Sequence, residues 1–247
     1  MKFKYCLNKS VKTTVQPENK YELKEIIEDT IKEQGFNCDL NFIDTSKITD
    51  MSALFSDSEF NGDISNWDVS NVKFMMYMFS NSKFTGENND ISNWDVSNVI
   101  NMVNMFSNSK FDGDISKWNV SNVEYMAGMF WDSSFTGKNG DISNWDVSNV
   151  EYMSFMFKHS KFNGDISKWD VSNVKDMGWV FGNSEFTGEN GDISNWDVSN
   201  VEDMDYMFYY SEFNVDISNW DVKKVKTMKD IFNLSPLEKN PPKWYAK

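Results

Sequence analysis

The sequence predicts an α/β repeat solenoid whose coils each contain one short strand and one short helix. The phrase "GDISNWDVSNV", which begins at Gly62, returns in close copies six more times. The tryptophans of these copies are spaced alternately by 27 and 24 residues. A fixed period of about 20 to 50 residues is typical of solenoids, propellers and arrays, and a propeller blade needs about 40 residues or more. Repeats of this length therefore favour a solenoid.

The repeat has two lengths because three extra residues occur in every second copy. Short copies read "FNGDIS" or "FDGDIS", and long copies read "FTGENNDIS", "FTGKNGDIS" or "FTGENGDIS". A half-copy without the tryptophan phrase, "DTSKITDMSALF", precedes them at residues 44–55. The tryptophans that mark the full copies are Trp67, Trp94, Trp118, Trp145, Trp169, Trp196 and Trp220.

Within one copy, the apolar spacing predicts a strand followed by a helix. Trp67 and Val69 are two residues apart, so they share one face of a short strand. Val72, Met75 and Phe79 follow at helical spacing. The order resembles the leucine-rich-repeat signature, although the asparagine arrives one residue early. We therefore expect leucine-rich-repeat-like coils in which the tryptophans form a buried column, spaced by about 4.8 Å as paired strands are.

Both ends of the repeat region carry features of caps. The segment "YELKEIIEDTIKEQG" has Leu23, Ile27 and Ile31 at helical spacing and ends at Gly35, a residue type that is favoured at helix ends. The alternation in "CDLNFID" then predicts a first strand, and prolines near the other end stop the repeat. The predicted division is an N-terminal segment at 1–17, a helical cap with the first strand at 18–43, a repeat solenoid at 44–232 and a C-terminal cap at 233–247.

Composition and charge narrow the classes of function. The 247 residues are 40% hydrophobic and 16% aromatic, and the formal net charge is -14. Such a charge disfavours nucleic acid as a partner, and no apolar stretch approaches the length of a membrane span. The start of the chain lacks the apolar run of a secretory signal. The sequence as given predicts a cytoplasmic monomer, or a surface or secreted protein if a leader was removed.

The predicted helices carry one variable face, which is the main candidate site. Scaffold positions repeat from copy to copy, whereas this face mixes aromatic and small polar residues, a composition that binding surfaces use. The alternative interpretation is that its rings pack between neighbouring helices. The predicted partner-binding residues are Phe74, Tyr77, Tyr125, Tyr152, Phe155, Trp179, Tyr206 and Tyr210. From this face we expect non-catalytic binding to a protein partner.

Two further sets of residues leave other functions open. Two columns of aspartates, which begin at Asp63 and Asp68, could bind calcium or could cap turns of the backbone. A calcium- or carbohydrate-binding array is therefore one alternative, and an acidic spacer or a nucleic-acid mimic is another. The long-copy loops at 87–89, 138–140 and 189–191 form a second candidate row. No cofactor is expected.

No enzyme signature is found in the sequence. His159 is the single histidine, and no cysteine lies beside it. Neither a phosphate-binding loop nor a zinc-protease motif is present. A regular ladder repeats its groups, whereas catalysis needs a convergent pocket. The sequence therefore predicts a protein without enzymatic activity, with His159 at the surface.

The phrase "FNGDISNWDVSNV…M…MF" resembles the BspA-like repeat of bacterial surface proteins, a family also known as the Mycoplasma lipoprotein repeat of unknown function. The resemblance covers nearly everything from Tyr21 to Tyr245, and Asn119 is one of its few departures. It implies a leucine-rich-repeat-like fold in proteins that bind host or partner proteins, and it implies no enzymatic activity. The sequence departs from the family's surface pattern in lacking an export signal.

Overall fold

The computed structural model describes residues 14–87 and 90–245, which include one α-helix. Helix α1 spans Lys20–Gln34. The Asn19 side chain accepts from the Tyr21 and Glu22 amides, and Gly35 closes the helix with an N–H bond to the Ile31 carbonyl at 2.7 Å. Leu23, Ile26, Ile27 and Thr30 face the interior. The predicted helix and its glycine C-cap are confirmed.

The predicted strand of each repeat is wrong, and so is the first strand predicted in "CDLNFID". The described residues contain no β-strand, and successive repeats are joined by single parallel bridge pairs. At the predicted strand, the Trp67 amide bonds to the Ile64 carbonyl and the Val72 amide to the Val69 carbonyl, so tight turns replace extended backbone. The bridge column runs through Asp50, Phe74, Asn101, Tyr125, Tyr152, Asp176, Asp203 and Thr227.

The predicted helix of each repeat is also wrong, so the chain is not an α/β solenoid of alternating strand and helix. Besides α1, the described helices are two short 3-10 helices, Ile193–Asn195 and Pro236–Glu238. The residues at helical spacing form a turn segment instead. The turn segments are 50–57, 74–81, 101–108, 125–132, 152–159, 176–183, 203–210 and 227–234.

Hydrogen bonding between repeats explains why the turn segment is not helical. The amides of Met75, Tyr77, Phe79 and Asn81 donate to carbonyls of the next repeat at 2.8–3.0 Å. An α-helix would use these amides for bonds four residues back within its own backbone. The Met78 amide, which lies between them, bonds three residues back to Met75. Alternate amides thus point to the neighbouring repeat, whereas the amides of Met78 and Ser80 bond to carbonyls three residues back in their own repeat.

This alternation places two left-handed residues in every turn segment, four positions apart. Left-handed backbone is tolerated best by Gly, Asn and Asp. Gly128 occupies one such position with φ 63°, and a Cβ there would lie 2.1 Å from Asn104 Oδ1. The first left-handed column is Ala53, Tyr77, Asn104, Gly128, Phe155, Trp179, Tyr206 and Asp230, and the second is Asp57, Asn81, Asn108, Asp132, His159, Asn183, Tyr210 and Leu234.

The core is a set of aromatic columns that run through the stacked repeats. The tryptophans of the repeated phrase are 3–4% exposed, which confirms their scaffold role. Each indole N–H donates to the carbonyl of an apolar residue in the previous repeat, such as Trp118 to Ile91 at 3.0 Å. The ring centroids of Trp94 and Trp118 are 6.4 Å apart, more than the expected spacing of about 4.8 Å, and the two ring planes are nearly parallel at 4°. Two buried phenylalanine columns lie beside them.

Trp244 continues the tryptophan column beyond the last copy of the phrase. Its indole N–H donates to the Ile217 carbonyl at 2.8 Å, and its ring lies 6.5 Å from Trp220. The division of the chain at residues 17, 43 and 232 stays a prediction. Residues 1–13 and 246–247, which belong to the two predicted terminal segments, lie outside the described residues.

Candidate functional site

The predicted partner-binding residues lie in three columns of the turn segments. Their neighbours along the chain, such as Met75, Met78 and Phe79, are buried in the core. Phe74, Tyr77 and Tyr210 are exposed by 40%, 44% and 61%, and the other five are half-buried. The bridge column holds Phe74, Tyr125 and Tyr152, the first left-handed column holds Tyr77, Phe155, Trp179 and Tyr206, and the second holds Tyr210.

The structure brings five of these eight residues into ring contacts. Tyr125 and Tyr152 stack at 5.3 Å between centroids. Trp179 stacks on Phe155 at 6.3 Å and on Tyr206 at 4.5 Å. In the described part of the chain, the remaining three, Phe74, Tyr77 and Tyr210, make no contact with another aromatic ring.

Three residues that were not predicted from the sequence belong to the same cluster as Phe155, Trp179 and Tyr206. They are Trp131, Lys158 and Tyr209, and they lie one residue after the buried phenylalanine of their turn segments. We define the Lys158 cluster as Trp131, Phe155, Lys158, Trp179, Tyr206 and Tyr209. The sequence contained a signal for these residues. The same position is serine in two earlier repeats, Ser80 and Ser107, and changes to an aromatic residue or lysine in these three.

The Lys158 ammonium lies over three rings that come from consecutive repeats. Its Nζ is 3.8 Å from the centroid of Trp179, 5.2 Å from Phe155 and 5.8 Å from Trp131. Burial lowers the pKa of this lysine. It makes no ion pair with any carboxylate among residues 14–87 and 90–245. The rings therefore take the place of an acidic partner for this charge.

A glycine leaves the space in which the Trp179 ring lies. A Cβ on Gly182 would come within 2.6 Å of Trp179 Cε3. Tyr209 then meets the Trp179 ring edge-on at 5.5 Å. Gly182 takes the position that Lys158 holds in the preceding repeat. Gly182 on one side and Tyr209 on the other therefore determine where the Trp179 ring lies.

A charged row borders the bridge column on one side. Lys175 pairs with Glu151 at 2.6 Å, and its Nζ lies 5.9 Å from the Tyr152 ring centroid. Lys226 pairs with Glu202 at 2.6 Å. A shallow hollow in this row is lined by Glu151, Asn173, Lys175, Asn200, Glu202 and Lys224. These ion pairs balance the charge of the row locally.

The two aspartate columns cap turns of the backbone. In the first column, Asp90 Oδ1 accepts the Ser92 amide at 2.8 Å. In the second, Asp146 Oδ1 accepts the Ser148 amide at 3.1 Å. The same bond recurs throughout both columns, and Asn119 makes it with Ser121 at 3.2 Å. The described residues hold no group of three or more His, Cys, Asp or Glu side chains arranged to bind a metal.

The long-copy loops are held against the preceding repeat. Asn139 Nδ2 donates to the Asp112 carbonyl at 2.7 Å, and Asn190 Nδ2 to the Asn163 carbonyl at 2.7 Å. Asn88 and Asn89 of the first such loop lie outside the described residues. His159 is exposed, as predicted, and occupies a left-handed position with φ 56°.

Within the residues that the structure describes, no helix is both long and apolar enough to cross a membrane.

Comparison with known proteins gives a family for this chain. Neither the curated proteins nor the solved structures gave a match. The model of one family matches residues 21–136, 82–158 and 134–244, which together span most of the chain and all the full copies of the repeated phrase. The chain belongs to the repeat-containing family described as Mycoplasma protein of unknown function, DUF285.

Proposed function

We propose that this protein is a non-catalytic repeat scaffold that binds a protein partner through the Lys158 cluster. The observation that carries the proposal is the run of three large aromatic residues that occupy successive left-handed positions and stack on one another. Phe155, Trp179 and Tyr206 have φ values of 56–61°. Bulky residues are unusual in this conformation, where each strained residue costs about 1–3 kcal/mol.

The chain itself contains better residues for these positions. Asn104 and Gly128 occupy the same column in the two repeats before Phe155. Either type relieves the strain at Trp179 and keeps the backbone bond to the next repeat. Since asparagine or glycine would fit the backbone at these positions without strain, the presence of aromatic residues there favours a role outside folding. Trp and Tyr are enriched among the residues that contribute most to binding at protein interfaces.

The family resemblance supports the same class of function. The BspA-like repeat, which this sequence resembles, occurs in proteins that are thought to bind host or partner proteins. Such a role needs a surface that differs from repeat to repeat on a constant core. The constant aspartates and tryptophans are used for turns and packing, so the variable columns are the part of the repeat that is free to specify a partner.

The experiment compares capture of partners by the native protein and by a variant with Phe155→Asn, Trp179→Asn and Tyr206→Asn. Asparagine matches Asn104 of the same column, so the backbone conformation is preserved. A matched control carries Tyr77→Asn, which alters the same column outside the cluster. Circular dichroism and thermal melting verify that each variant is folded.

We expect a partner that is retained by the native protein and by the Tyr77→Asn control and is lost by the triple variant. Retention of every captured protein by a folded triple variant would contradict the proposed site. Loss in the Tyr77→Asn control as well would extend the site along the whole column.

A further inference from the structure

We propose that the Lys158 cluster is a binding site for a quaternary ammonium group, and that the Lys158 ammonium occupies this site in the free protein. The inference uses the surface of the proposed function but does not depend on its protein partner. The site is the space over Trp131, Phe155 and Trp179 in which Lys158 Nζ lies.

This face of the protein already holds ammonium groups on aromatic rings. Lys158, Lys175 and Lys229 all place Nζ over rings of the turn segments, at 3.8, 5.9 and 5.5 Å from the nearest centroids, although Lys175 also pairs with Glu151. The faces of aromatic rings carry negative charge density, which attracts cations without a formal counter-charge. Three rings around one Nζ, as at Lys158, are the most developed of these contacts.

The site favours a quaternary ammonium over a primary one. A primary ammonium is compact and strongly hydrated, and Lys158 loses water when it lies over the rings. A quaternary ammonium has no N–H groups to desolvate and presents methyl groups to the rings, so its desolvation on binding costs less free energy. Such a ligand can therefore displace the lysine. The net charge of -14 also raises the local concentration of cations.

Two sources of this chemistry are a methylated lysine of a partner polypeptide and a free choline-type molecule. The probe is tetramethylammonium, titrated by calorimetry into the native protein at constant ionic strength. Choline and its neutral isostere 3,3-dimethylbutan-1-ol then test whether the charge is required. A short peptide with one trimethylated lysine between glycines tests the polypeptide source.

The variants follow residues that the chain uses at the same positions. Trp179→Asn matches Asn104 and removes the nearest ring. Lys158→Ser matches Ser80 and Ser107 and removes the internal cation. We expect saturable binding of tetramethylammonium by the native protein, loss of binding in Trp179→Asn, and affinity about threefold higher or more in Lys158→Ser. We expect no binding of the neutral isostere.

Three results would overturn the inference. They are equal binding by the native protein and a folded Trp179→Asn variant, equal binding of choline and its neutral isostere, and binding by Lys158→Ser alone. Equal affinity for choline and the peptide assigns the site to the ammonium group itself. Tighter binding of the peptide that is lost in Tyr206→Asn assigns it to a polypeptide ligand. Because the ligands are defined, failure to capture a protein partner has no bearing on this result.

Discussion

The amide of Trp179 donates to the carbonyl of Asp205 in the next repeat at 2.8 Å, and this bond requires Trp179 to adopt a φ of 61°. The corresponding amide bond recurs in seven turn segments, whichever residue occupies the position. The stack therefore fixes the backbone, and the side chain has to tolerate it. The buried positions therefore build the repeat, whereas the side chains at the left-handed surface positions are free to vary.

In the second left-handed column, too, the backbone conformation should be fixed by the neighbouring repeat, whichever side chain is present. Tyr210 has φ 50° and is 61% exposed, and Asn183 occupies the equivalent position one repeat earlier. We expect Tyr210→Asn to leave the free energy of unfolding unchanged or to raise it by about 1 kcal/mol. Tyr210→Val should lower it by about 1–2 kcal/mol, because a β-branched residue fits left-handed backbone poorly. Urea denaturation of both variants measures the difference, and equal stability would contradict the account.

The tryptophan column should depend on its indole N–H groups as well as on its packing. Trp118 is 3% exposed and donates to the buried Ile91 carbonyl. Trp118→Phe keeps an aromatic ring but removes the donor, so we expect a loss of about 1–3 kcal/mol from the unpaired carbonyl. The same change at Trp131, which is 41% exposed, is the control and should cost less than about 0.5 kcal/mol. Equal effects at the two positions would show that the N–H bond contributes nothing.

Acid should destabilise the protein through the aspartates that cap turns. Hydrogen bonds from the serine two residues on lower the pKa of Asp90 and Asp146 in the folded state. A lowered folded pKa gives stability that is present above about pH 4 and is lost as the pH falls further. Burial, followed by the negative charge of Asp176, raises the pKa of Asp203, which therefore acts in the opposite direction.

Urea midpoints between about pH 7 and pH 3 measure this loss. Asp146→Asn reproduces Asn119, which makes the same turn bond without a titrating group. Its midpoint should fall less steeply than that of the native protein below about pH 4. A native midpoint that does not fall in acid would refute the role of the capped carboxylates.

Chelation should leave the stability unchanged. The aspartate columns use Oδ1 for turn amides of their own repeats, as Asp165 does for Ser167 at 2.9 Å. Capping a turn amide in this way needs no cation. We expect the same melting temperature with and without excess EDTA. A reproducible decrease that added calcium reverses would restore the calcium-array alternative.

The helical cap and the buried columns were predictable from the sequence because they depend on local signals. Asn19, Gly35 and the apolar spacing between them define α1 without reference to the rest of the chain. The tryptophans repeat with the phrase that surrounds them, as residues of a shared core do. The match of one family model along the repeats confirms that periodicity, whereas the predicted strand and helix were both wrong.

The conformation of the turn segment was not predictable from apolar spacing alone. Val72, Met75 and Phe79 are buried as a helix would bury them, but bonds to the adjacent repeat determine the backbone. The sequence did contain a local signal, because Asn81 and Asn108 stand at a position where left-handed backbone favours asparagine. The Lys158 cluster was partly missed for a related reason. Lys158 reaches rings of three repeats, and a comparison of positions along one predicted helix cannot reveal such a contact.

The most direct test of the account is the thermal stability of the Phe155→Asn, Trp179→Asn double variant beside that of Trp169→Ala. The account predicts that the double variant melts within a few degrees of the native protein and loses its partner, since relief of left-handed strain offsets the lost ring contacts. Trp169→Ala, which empties a site that is 3% exposed, should cost about 3–5 kcal/mol. Destabilisation of the double variant to the same extent as Trp169→Ala would contradict the central claim, because it would place these rings in the scaffold.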